Sequence, residues 1–81
     1  MVEVFITNIQ NEQDATNALG ILQNLFPSVK ANIDLEDFEE PYPCTHSVLR
    51  VEGKEIYSEA ILTLLRNKGI ECEILPDKTC S

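Results

Sequence analysis

The stretch Val29-Lys30-Ala31-Asn32-Ile33-Asp34-Leu35-Glu36 decides the fold, because apolar and polar side chains alternate along it without a break. Successive side chains of a strand point to opposite faces, so this period of two puts Val29, Ala31, Ile33 and Leu35 on a buried face and the polar residues in water. Such a strand needs a layer to pack against. Directly upstream, Ala15, Ala18, Leu19, Leu22, Leu25 and Phe26 recur at helical spacing, and Pro27 stops the helix. Asn11 offers that helix a cap, and Glu12 and Asp14 place negative charge in its first turn, where the helix dipole favours it. Gly20 in its interior costs about 1 kcal/mol relative to Ala, for which close packing against a sheet would be one reason.

Further out, Val2 to Ile9 sets Val2, Val4 and Ile6 on one face and Glu3, Phe5 and Thr7 on the other. Apolar residues on both faces suit the middle of a sheet. Beyond the deciding stretch, residues 36–46 hold an acidic run and two prolines, which predicts an exposed loop. A third strand over 45–52 places Ser47, Leu49 and Val51 opposite Val48 and Arg50, and Gly53-Lys54 turns the chain. A second helix follows, with a stripe of Ile61, Leu64 and Leu65 flanked by Ala60 and Tyr57, Ser58 near its start and Gly69 as its stop. Ile70, Cys72 and Ile74 alternate with Glu71 and Glu73 in a last strand that Pro76 ends, and the tail from residue 77 to 81 is expected to fray.

The order is βαββαβ, and two right-handed crossovers place both helices on one face of the sheet. The predicted fold is therefore an α+β, ferredoxin-like sandwich: an antiparallel four-stranded sheet, the first and third strands central, under two helices. One domain occupies residues 1–81, with its core in 2–75.

Charge narrows the function classes. Fourteen acidic against six basic residues give a net charge of −8, which repels nucleic acid and anionic membranes. No apolar run approaches the roughly 20 residues of a spanning helix, so a soluble protein is expected. The start Met1-Val2-Glu3-Val4-Phe5 lacks a basic region followed by an apolar stretch, which makes a cytoplasmic location the expectation. Cys44, Cys72 and Cys80 include no Cys-x-x-Cys spacing, and reduced thiols are expected.

Three phrases, Val4-Phe5-Ile6-Thr7-Asn8-Ile9, Leu25-Phe26-Pro27-Ser28-Val29-Lys30-Ala31-Asn32-Ile33-Asp34-Leu35, and Ala60-Ile61-Leu62 through Lys68-Gly69-Ile70-Glu71-Cys72-Glu73-Ile74, in this order, resemble the heavy-metal-associated (HMA) domain family from Val2 to about Leu75. The resemblance implies a loop, between the first strand and first helix, in which a methionine and a Cys-x-x-Cys pair hold a soft metal. Here Asn11 and Asp14 fall at the two cysteine positions and Ile9 at the methionine, so no thiolate is carried over. Asn11 and Asp14 can instead serve as helix-start residues, or Asp14, Glu12 and loop carbonyls could form a weak hard-cation site.

Other chemistry is sparse. Cys44, His46 and one or two of Asp37, Glu39 and Glu40 could supply mixed ligands for zinc, although an exposed thiol and a strand-edge histidine are the plainer reading. With one histidine, no nucleophile, base and orienting acid can be assembled, and the glycines Gly20, Gly53 and Gly69 form no phosphate loop. Neither an enzyme nor a cofactor is expected, a possible metal ion aside. Cys72 reads as a small core residue. Phe38 and Tyr42 give the acidic loop apolar area suited to a protein contact, and the helix-free face of the sheet offers a second candidate through Phe5 and Val48. An edge strand could pair with a partner or a second copy.

These features lead to a small non-catalytic domain for protein interaction or accessory duty that has lost the family's soft-metal site. The alternatives are a metal-binding or metal-delivery protein with a relocated site near Cys44 and His46, and a small-molecule-sensing regulatory domain of the amino-acid-binding kind.

Overall fold

A computed structural model describes residues 1–37, 39, 40, 42 and 44–74. Its elements are β1 (Val2–Thr7), α1 (Glu12–Leu25), β2 (Lys30–Asp34), β3 (Ser47–Glu52), α2 (Ser58–Asn67) and β4 (Cys72–Ile74). The four strands form one antiparallel sheet in the order β2-β3-β1-β4, so β1 and β3 are central and the fold is α+β and ferredoxin-like. Phe38 and the tail from residue 75 to 81 lie outside the described residues, so the expected fraying falls there as well.

Register explains the core. Phe5 stands opposite Leu49, Leu49 opposite Ile33, Val51 opposite Ala31, and Thr7 opposite Cys72, which puts these residues in rows on one face. On that face they join Ala15, Ala18 and Leu22 of α1 and Ile61, Leu62 and Leu65 of α2 in a single cluster. Both helices therefore cover the same side. Phe5 is fully buried in this cluster, which corrects its expected place on the helix-free face. The other face carries Val4, Ile6 and Val48, the latter two paired across β1 and β3. Ile6 is nonetheless 1% exposed, so that face is covered locally.

The helix ends follow their sequences. The Asn11 side chain accepts from the Asp14 backbone N–H at 2.8 Å, and its amide donates to the Asp14 carboxylate at 3.0 Å, closing a reciprocal cap. At the far end of α2, Ile70 N–H reaches the Leu65 carbonyl and Gly69 N–H the Arg66 carbonyl. This double closure needs a left-handed residue, and Gly69 takes it with φ 83°. Ile56 and Ile61 flank the start of α2 and pack into the same cluster, fixing the entry of the chain into the helix.

Several sequence expectations are corrected. Leu25, the last residue of α1, is 58% exposed instead of lying in the buried stripe. A Cβ at Gly20 would meet nothing within 4 Å, so this glycine serves no close packing. On α2, Leu62 is buried while Ala60 and Tyr57 are exposed, which rotates the buried stripe toward β4. Thiol chemistry also differs: Cys72 is free and buried as expected, but Cys44 is disulfide-bonded instead of reduced.

Candidate functional site

The positions that the resemblance singles out sit where β1 hands over to α1. Ile9 is buried, and both its backbone groups are held by side chains of the central strands. Its N–H donates to Thr7 Oγ1 at 3.3 Å, and its carbonyl accepts a short hydrogen bond from the Ser47 hydroxyl. Thr7 and Ser47 are fully buried and face each other across β1 and β3. The polar pair thus rigidifies the entry to the loop, since buried hydroxyls must find partners. Two residues on, Asn11 and Asp14 spend their polar groups on each other and on the start of α1. Helix capping is what this loop does.

Beside it, Asn8 Oδ1 accepts from the Glu71 N–H at 3.0 Å, and the Asn8 N–H donates to the Glu71 carbonyl at 3.0 Å. This clasp joins the end of β1 to the approach of β4. Between α1 and the α2–β4 turn lies a cleft of about 380 Å³, lined by Asn8, Ile9, Asp14, Asn17, Ala18, Ile21, Lys68, Gly69 and Ile70.

The loop between β2 and β3 is arranged differently from expectation. Tyr42 was expected to present its ring to solvent, yet it is half-buried and its hydroxyl is covered, with no hydrogen-bond partner among the described residues. Burial, then the carboxylates Glu73 and Glu71 with Cys72, push its phenol up to about 12 despite the opposing Arg66. The Tyr42 ring is therefore not an open contact surface. His46 is half-buried, and neither it nor Cys44 is without a partner. In its disulfide form Cys44 has no thiolate to offer a metal. Among the described residues no group of three or more His, Cys, Asp or Glu side chains is placed to hold a metal ion.

Cys72 occupies the core at 2% exposure, its Sγ 3.9 Å from the Leu62 carbonyl. Burial raises its thiol above the ordinary range, the reverse of what a reactive cysteine needs.

The open surface lies elsewhere, along β2. This strand pairs with β3 on one side only, and its outer flank is bordered by a groove of about 420 Å³ between it and α1. Ala15, Leu19, Ile33 and Leu35 supply the apolar part of the groove, and Glu12, Thr16 and Asp34 its polar part. The alternation of residues 29–36 contained this site, but a period of two says which face is buried and not which strand is at an edge. No helix among the described residues is long and apolar enough to cross a membrane. Compared with known proteins, the chain matches no family model, no curated protein and no solved structure.

Proposed function

We propose that this chain is a small, non-catalytic protein-interaction domain of HMA-like descent, which has given up soft-metal capture and binds an extended segment of a partner protein along β2. The observation that carries this reading is the unpaired flank of β2 beside the Leu19–Ile33–Leu35 groove. An edge strand offers a row of backbone donors and acceptors to an incoming strand, and an adjacent groove selects its alternate side chains. The HMA-like ancestry is inferred from the element order and the matching sequence phrases, and the loop at Asn11 and Asp14 departs from the family's metal-holding pattern.

Charge selects the occupant. Glu12 and Asp34 rim the groove, Glu36 and Asp37 follow β2, and the whole chain carries −8. Two copies meeting here would bring like charges together, so the partner is a different chain with apolar and basic residues in alternation. A nucleic acid or an anionic membrane is repelled by the same field. A disulfide persists in oxidising compartments and is rare in the cytosol, so the bond at Cys44 weighs against the cytoplasmic location that the sequence suggests.

A short synthetic peptide of alternating valine and lysine tests the reading by amide chemical-shift mapping. Shifts should concentrate at residues 30–35 and along the α1 flank, weaken with added salt, and fall away in the Glu12→Lys/Asp34→Lys double variant. Shifts elsewhere, or binding unchanged by the charge reversal, would overturn it.

A further inference from the structure

We infer that the cleft between α1 and the α2–β4 turn binds a small zwitterion with an aliphatic side chain, the chemistry of a branched aliphatic α-amino acid. The argument starts from the lining. Among the described residues, Lys68 and Asp14 are the only charged ones lining the cleft, and they are of opposite sign. An anion would meet the field of a chain at −8, and a cation would meet Lys68, whereas a zwitterion offers a carboxylate to one and an ammonium to the other.

Two of these groups are held ready. The Asp14 carboxylate is held by the Asn11 amide at 3.0 Å, so it need not be ordered by the ligand. The Asn8 amide is oriented by its bond from the Glu71 N–H, which takes up its oxygen and presents its N–H₂ as a donor. Ile9 and Ala18 form a buried apolar floor, and half-buried Ile21 and Ile70 make walls for a branched side chain. Gly69 leaves the rim open, since even a Cβ there would meet nothing within 4 Å. The volume of about 380 Å³ falls within the range of small-molecule sites, and apolar walls with a few converging polar groups are their usual make-up.

This site stands on the opposite flank of α1 from the β2 groove and shares no residue with it. The two readings can therefore fail separately.

The test is a titration of the full chain with L-leucine, followed by amide chemical shifts. Isocaproate, which lacks the ammonium, and isopentylamine, which lacks the carboxylate, serve as the controls. Leucine should saturate the shifts of Ile9, Ile21, Lys68 and Ile70, while either analogue binds at least about tenfold more weakly, as expected for losing a charge-assisted hydrogen bond. Lys68→Gln and Asp14→Asn should each weaken leucine by a similar factor. No saturation by leucine at about 10 mM, or either analogue binding as tightly as leucine, would overturn the proposal whatever the variants do.

Discussion

Tyr42 and Gly20 are the residues whose surroundings depart most from their types. Tyr42 keeps a covered hydroxyl with no partner among the described residues, a cost without a compensating bond there. Tyr42→Phe should therefore leave thermal stability unchanged or raise it by up to about 1 kcal/mol, measured by denaturant unfolding. The same variant reads the pH dependence. Because the folded phenol holds its proton to about 12 against an ordinary value of 10, the unfolded chain deprotonates first. The contribution of the Tyr42 phenol is then intact below pH 10 and is lost as pH rises toward 12, so the wild type should lose stability in that window faster than Tyr42→Phe. Tyr57 is also raised, by its hydrogen bond to Glu55, so the difference between the two proteins is the readout that isolates Tyr42. At Gly20 open space surrounds the missing side chain, and Gly20→Ala should stabilise the domain by up to about 1 kcal/mol through the helix alone. Nothing in the composition of α1 distinguishes a glycine that packs from one that faces water; only the neighbouring layer does.

The helices and strands were legible to different depths. Lys30 to Asp34 alternates as its sequence requires, and the caps at Asn11 and Gly69 close the bonds that their residue types predict. Asn11→Ala should cost about 1 kcal/mol by removing the acceptor for the Asp14 N–H, a loss that chemical denaturation would register. The buried stripe of α2 was less legible, because leucines at 62, 64 and 65 leave several centres open to a period of 3.6. Leu62 joins Cys72 of β4 in the buried cluster, and that choice is made by tertiary contact. The β1 strand posed the same difficulty in another form. With apolar residues on both faces, its sequence did not say that Phe5 faces the helices and Ile6 the other side. The cleft was hidden for a related reason: Asp14 and Lys68 are far apart in the chain, and only the joining of β1 to β4 brings their elements together.

For the whole molecule, both helices cover one side of the sheet, and β2 stands at a sheet edge with only β3 paired to it. Acidic charge around that flank argues against self-pairing and for an alternating basic segment of a different chain. Strand addition makes a demand that side-chain docking does not: the outward amides of β2 must acquire hydrogen bonds. Amide hydrogen exchange across residues 30–34, with and without the valine–lysine peptide, measures this directly. Binding along β2 predicts marked slowing of the outward amides of that strand, with little change in β4. Unchanged exchange in β2 while the peptide is bound, or protection confined to another element, would contradict it.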